Sequence, residues 1–325
     1  MPTDGPYFDD LHVGQVLDPA PAITVGSEMA AVYQAITGDA SPLVLSRPLA
    51  EAVTGEPGAI VNPALVLHVS IGQSTVATRR VIANLFYRGV RLLRQVRVGD
   101  TLRSTVDIRA LRENSRKPGR PPRGTAVLGI RTVDQNDRVV ADYERCPMLP
   151  LRDDTETGHD DDIGTAEGEL DLDGYADLAP SWELGPLGAP VEWDVGESST
   201  DPMGDTVSGA LELVRLTQNQ AIAHRDPAFG QRGRRLVYGG HTIGLAQASV
   251  TRLIPNIATV IGWHSCDHTG PVFEDDVLSF TTTLTDSSLA GSGRILALRV
   301  EVEARRDGLD QPVGVLDWRP VVLAP

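Results

Sequence analysis

Lysine is almost absent from this chain. Lys117 is the only one, so 28 of the 29 basic residues are arginine. Acidic residues number 44, and the formal net charge is −15. That balance excludes nucleic acid or an anionic membrane as the main partner, because both bind through cationic surfaces. Cysteine is scarce as well. Cys146 and Cys266 cannot build a disulfide framework, and they read as two buried thiols in a reducing compartment. No apolar run approaches the ~20 residues of a membrane-spanning helix. The opening Met1-Pro2-Thr3-Asp4-Gly5-Pro6 has neither the basic nor the apolar region of a secretory signal. A soluble, cytoplasmic protein is expected. The phosphate loop, the dinucleotide fingerprint and the Gly-x-Ser-x-Gly elbow are all missing.

What is present is a repeat. Ala35-Ile36-Thr37-Gly38-Asp39 corresponds to Arg215-Leu216-Thr217-Gln218-Asn219. Val96 to Leu102, around Asp100, corresponds to Val272 to Leu278, around Asp276. Asp142-Tyr143-Glu144-Arg145 corresponds to Asp317-Trp318-Arg319. The intervals agree: 61 and 42 positions between the three acids of the first half, 57 and 41 between Asn219, Asp276 and Asp317 of the second. Three landmarks in one order describe a diverged duplication. The copies differ at one telling place. Five residues after Asp39 stands Val44, and five after Asn219 stands His224.

The first unit is expected over residues 7–151, an acidic linker over 152–180 and the second unit over 181–325. The stretch from Asp153 to Asp162 is acidic and lacks large apolar side chains, so it reads as a solvated, mobile spacer. Each unit has a small-residue-rich segment, Ala64–Ala77 and Gly239–Val250, apolar on all sides like a buried helix. Alternating segments follow, among them 106–111, 126–131 and 139–143, then 278–281, 296–302 and 314–318. A buried helix wrapped by a long antiparallel sheet is the hotdog arrangement. Two fused units give an α+β double hotdog. A β-sandwich leaves the Gly/Ala-rich helices unexplained.

The segment Thr217 to Asp226, followed by Leu236-Val237-Tyr238-Gly239-Gly240-His241, resembles the signature of the MaoC-like, (R)-specific enoyl-CoA hydratase family. Gly233 to His241, Ala83-Asn84-Leu85 and Leu111 to Lys117 are similar to the two-unit branch of that family. The resemblance implies a hydratase or dehydratase acting on an acyl-CoA thioester by syn addition or removal of water. Asn219 and His224 fall where the family has its catalytic Asp and His. His224 is then the base, and Asn219 orients the water through its side-chain carbonyl. Gly239 and Gly240 are expected to hold the thioester oxygen with backbone N–H groups. Tyr238, His241 and His268 are the further pocket residues, and Arg234, Arg235, Arg116 and Lys117 the cations for the CoA phosphates. No separate cofactor and no metal are implied, since CoA belongs to the substrate. The partners expected are that substrate and a second copy of the chain, as a homodimer.

The first unit is expected to be degenerate, because Val44 replaces the base and Val61-Asn62-Pro63 stands at the helix entry. It would accommodate the acyl group, with Asp39 a helix-end or turn residue. His264, Cys266 and His268 would share one strand face, where a metal is conceivable. Two rival readings stand beside hydration: a thioesterase using Asp226 or Asp267, and an acyl-CoA-binding protein without catalysis.

Overall fold

The structure is a computed structural model that describes residues 5–166 and 168–325. The first four residues, read above for a targeting segment, and Glu167 of the linker lie outside the described residues. Eight long strands form the frame: β1 (Ala83–Leu92), β2 (Thr101–Glu113), β3 (Arg123–Val133), β4 (Val139–Pro150), β5 (Thr259–Asp267), β6 (Val277–Ala290), β7 (Gly293–Arg305) and β8 (Val313–Ala324). Their order across the sheet is β2-β3-β4-β1-β5-β8-β7-β6. The second half thus repeats the first in reverse across a central junction. There β1 and β5 pair antiparallel, with Phe86 opposite Asp267 and Val90 opposite Trp263, so the two units share one sheet.

Four helices position the site: α1 (Ser27–Thr37), α2 (Pro63–Ser74), α3 (Ala210–Leu216) and α4 (Gly239–Leu253). Every residue of α2 is buried, as is α4 from Gly240 to Thr251. Their composition requires this, because a helix that is apolar all round has no face to give to water. Several of their polar groups find internal partners. Ser70 Oγ lies 2.6 Å from Thr132 Oγ1, and Gln73 Nε2 donates to the Leu102 carbonyl at 3.0 Å. Gly72 brings α2 against the other half, since a Cβ there would lie 2.0 Å from the Thr217 carbonyl oxygen.

The repeated acids have structural roles. Asp100 accepts the Arg97 N–H at 2.8 Å and Asp276 the Phe273 N–H at 2.9 Å, each closing a tight turn three residues back. Asp142 and Asp317 each receive the guanidinium of an arginine on the neighbouring strand, Arg131 and Arg299. The arginines of the third landmark are not counterparts. Arg145 is buried on the inward face of β4 with Tyr143, whereas Arg319 lies beside Asp317 and Pro320 takes the inward position.

The acidic stretch is exposed over most of residues 152–165, as a solvated spacer would be, yet parts of it bond to the fold. The Glu113 N–H donates to the His159 carbonyl at 2.9 Å, and the Asp161 N–H to the Leu111 carbonyl at 3.1 Å. The Asp161 carboxylate accepts the Leu111 N–H at 2.9 Å. The segment therefore lies along β2 and satisfies backbone groups of an edge strand. Further on, Tyr175 is buried, with its hydroxyl on the Trp263 carbonyl at 2.8 Å.

Candidate active site

A cavity of about 200 Å³ lies at the N-terminal end of α4. Both halves line it: Ile71, Thr75, Asn84, Tyr87 and Arg145 from the first, and Asn219, His224, Tyr238, Gly239 and His268 from the second. No aspartate or glutamate is among its lining residues.

His224 ends a short 3-10 turn, Ile222–His224. Its Nδ1 lies 2.9 Å from the Leu236 carbonyl oxygen. A carbonyl only accepts, so Nδ1 carries the proton and Nε2 keeps its lone pair. Burial pushes the imidazole down to about 4; the bond to Leu236 opposes this, and the charges of Arg145, Arg225 and Arg235 reinforce it. At neutral pH the ring is therefore an uncharged base. The loop is pinned on both sides. The Leu236 N–H donates to the Ala223 carbonyl at 3.0 Å, and Arg225 holds the Asn219 carbonyl through Nε at 2.9 Å and Nη2 at 2.7 Å.

Asn219 is buried, and its Oδ1 accepts the Ala221 N–H at 2.9 Å. The carbonyl expected to hold water thus already serves a local turn. Its amide nitrogen is the donor it can offer the cavity. Gly239 and Gly240 are the first two residues of α4, so their N–H groups have no acceptor one turn back. Tyr238 precedes them without capping them through its side chain. Glycine is required at both places by close packing. A Cβ on Gly239 would sit 2.4 Å from His268 Cε1, and one on Gly240 would sit 2.5 Å from the Tyr238 ring.

Tyr238 stacks at a tilt on His224, with ring centroids 5.6 Å apart, and its hydroxyl has no partner among the described residues. His268 is pushed down to about 4 by burial and then by His224 and Arg145. Its Nε2 also has no partner among the described residues. His241 does not reach the cavity. It is fully buried, with Nε2 2.7 Å from the Ser208 carbonyl oxygen. Nor do His264, Cys266 and His268 share a face. An irregularity in the β5–β8 pairing at His264 breaks the alternation. His264 lines an outer groove with Arg88 and Arg91, Cys266 is in the core, and His268 lines the cavity.

None of the four expected phosphate-binding residues lines the cavity. Arg234 donates to the Glu274 carbonyl at 2.7 Å, and Arg235 pairs with the Glu274 carboxylate at 2.7 Å. Arg116 pairs with Glu113 at 3.0 Å in the β2–β3 loop, where Lys117 is exposed. Arg145, in contrast, lines the cavity without having been singled out as a site residue. The signal was its spacing of two from buried Tyr143, which puts both on the inward face of β4.

The corresponding place in the first half is filled. Asp39 Oδ1 accepts the Ser41 N–H at 2.9 Å, the same turn that Asn219 makes with Ala221. Asp39 Oδ2 is taken by Asn62 Nδ2 at 2.6 Å and Gln247 Nε2 at 2.5 Å. Thr251 Oγ1 adds a bond to Oδ1 at 2.9 Å. Pro63 opens α2 without an N–H, and Asn62 caps the Ala64 N–H at 2.9 Å. A space of only about 10 Å³ remains beside Val44, Pro63 and Gln247.

Two buried helices wrapped by one antiparallel sheet define a double hotdog protein. No family model matches the chain. It is 31% identical over 99% of its length to the β-methylmalyl-CoA dehydratase of Chloroflexus aurantiacus, covering 97% of that protein. It is 28% identical over 94% of its length to the mesaconyl-CoA hydratase of Cereibacter sphaeroides, covering 91% of it. Among solved structures, a double hotdog protein of Mycobacterium tuberculosis, described as essential for bacterial survival during infection, superposes with a TM-score of 0.89 at 44% identity, covering 99% of each chain. The chain belongs to the MaoC-like hydratase/dehydratase family. No helix of the described residues is long and apolar enough to cross a membrane.

Proposed function

We propose that this protein adds water to an enoyl-CoA thioester, or removes it from the 3-hydroxyacyl form. The observation that carries the reading is the neutral His224, locked by Leu236, in a cavity that Gly239 also lines. Nε2 takes a proton from water, and the resulting hydroxide adds to Cβ. Electron density moves through Cα to the thioester oxygen, which becomes enolate-like. The Gly239 and Gly240 N–H groups stabilise that charge, helped by the positive end of α4. His224 then returns the proton to Cα on the same face, which gives syn addition. Asn219 cannot exchange a proton, so its amide positions the water by donating to it. The acyl chain lies against the first half, on Ile71 and Tyr87. Arg234 and Arg235, with Arg116 and Lys117, supply cations for the CoA phosphates at the surface. No separate cofactor is required.

Two relatives with most of their length in common are named as enzymes that dehydrate or hydrate CoA thioesters, which supports this class of reaction. The presence of Asn219 instead of a carboxylate favours one rival, a binding protein without turnover. The test is a panel of short enoyl-CoA thioesters with wild type and Asn219→Asp. Hydration by wild type, retained or raised in the variant, is expected. Tight binding with no turnover by either protein would leave only the rival.

A further inference from the structure

The duplication leaves a second space that the hydration mechanism does not use. Residues 176 positions apart correspond in the two units: Pro63 with Gly239, Val66 with Thr242, Leu92 with His268 and Val96 with Val272. The second member of each pair lines the cavity at α4. The first member of each lines a groove of about 230 Å³ at the N-terminal end of α2. The central strands follow the same rule. Ala83 and Asn84 of β1 wall the cavity, and Thr259 and Val260 of β5, 176 positions on, wall the groove. The first half has therefore kept the outer part of its site. The inner part is the space of about 10 Å³ beside Val44, and Pro63, Thr259 and Val260 border both remnants. A ligand entering the groove meets Pro63 where the cavity offers Gly239. There is no N–H to hold a thioester oxygen, and no room behind it for an acyl group.

The groove offers other contacts. Part of its wall, Leu178, Pro180 and Trp182, comes from the segment that joins the two units. Half-buried Trp182 and exposed Leu93 give it apolar surface. Gln95 adds a side-chain amide, itself held by the Val61 carbonyl at 3.2 Å. Arg94 stands where the cavity has Gly270. It is exposed and makes no hydrogen bond or ion pair among the described residues. The remaining charges of the groove are matched, Arg97 with Glu56 at 3.1 Å. One free guanidinium beside apolar and amide surface suits a neutral amide chain that ends in a phosphate.

We infer that this groove is a second, non-catalytic binding site, and that it takes the phosphopantetheine arm of unacylated CoA. The inference rests on the proposed acyl-CoA cavity, of which the groove is the duplicated outer part. Free CoA ends in a thiol, which stops at Pro63. An acyl thioester needs the space that the first half has closed.

The test separates the two sites. Wild-type protein is equilibrated with radiolabelled CoA and challenged with excess butyryl-CoA, which is saturated and cannot be hydrated. The label should fall into two classes, one displaced and one retained. Phosphopantetheine should displace the retained class, and adenosine 3′,5′-bisphosphate should not. Arg94→Glu should weaken the retained class by roughly tenfold or more, and leave the displaced class and crotonyl-CoA hydration unchanged. With butyryl-CoA in excess, CoA should still quench tryptophan fluorescence, and Trp182→Phe should remove that quench. Thermal melting of both variants checks the fold. Complete displacement of the label by butyryl-CoA overturns the inference even where crotonyl-CoA is hydrated well. A retained class that Arg94→Glu leaves untouched overturns it too, as does one displaced by the adenosine bisphosphate and not by phosphopantetheine. A retained class that responds to Arg94→Glu, in a protein that hydrates nothing, supports the groove while removing the proposed activity.

Discussion

The two halves build the same pocket entrance and finish it differently. Both begin with an Asx turn, Asp39 to Ser41 and Asn219 to Ala221. Both anchor that turn on a threonine from the other half's central helix segment, Ala40 N–H to Thr251 Oγ1 at 3.2 Å and Gln220 N–H to Thr75 Oγ1 at 2.8 Å. In the first half two amides occupy the remaining carboxylate oxygen, a proline and an asparagine close the helix entry, and about 10 Å³ is left. In the second half Ile71 lies where Gln247 lies in the first, glycines open the helix, and the cavity is about 200 Å³. A carboxylate is thus kept where it serves packing. An amide stands where the space is kept. A catalytic-looking residue type alone does not locate a site; its remaining hydrogen-bond capacity does.

The largest effect expected from breaking this contrast is at the base. His224→Ala should lower kcat on the order of 10²–10⁴-fold while thioester binding survives. Val44→His, which places the same residue in the other half, should add no activity, because Asn62 and Gln247 still fill the space. Steady-state rates on a hydrated enoyl-CoA check both.

Next in size is a stability effect. Asp39→Ala would strand the donors of Ser41, Asn62, Gln247 and Thr251 in the core. A loss of about 3 kcal/mol is expected, since unsatisfied buried donors cost about 1–3 kcal/mol each and partly rearrange. Asn219→Ala strands one backbone donor and should cost about a third of that. Urea unfolding of both variants compares them directly.

Gly239→Ala should act on both rate and stability. The new methyl would displace the buried His268 ring, so a drop of roughly tenfold in kcat/KM is expected together with a lower melting temperature.

The last effect is absent at neutral pH and appears only in acid. Burial lowers His224 and His268 to about 4 and His68 to about 3 in the folded chain. The unfolded chain protonates the same residues near 6.5. Unfolding therefore takes up protons between these values. The stability from burying neutral histidine is fully present above about pH 6.5 and is lost as pH falls towards 4 and below. For the same reason kcat/KM should stay level down to about pH 5, whereas an ordinary histidine base would fail near 6.5. Denaturation midpoints and rate profiles across this range test the two halves of the claim.

Much of the architecture was legible from pattern alone. The all-round apolar helices could only be buried, and the period-two segments landed within β2, β3, β4, β6, β7 and β8. The landmark acids were visible, although their roles as turn caps and cross-strand partners needed coordinates. His224 and Gly239 were legible through spacing and resemblance. Arg145 was not, because it sat in a repeat motif that grouped it with Arg319, and a motif ignores which face a strand residue takes. The linker's charge matched its exposure, but composition could not show that it bonds to Leu111 and Glu113 at the end of β2. His241 misled, since sequence cannot say that Ser208 offers a carbonyl to its ring.

The central claim is that each chain has one open acyl site, formed by the second half's turn and the first half's wall. A crystal structure with a saturated short-chain acyl-CoA bound tests it most directly. The account predicts one acyl group per chain, with the thioester oxygen against the Gly239 and Gly240 N–H groups and Cβ facing His224 Nε2. An acyl group beside Val44 and Pro63, or a thioester turned away from His224, would contradict it.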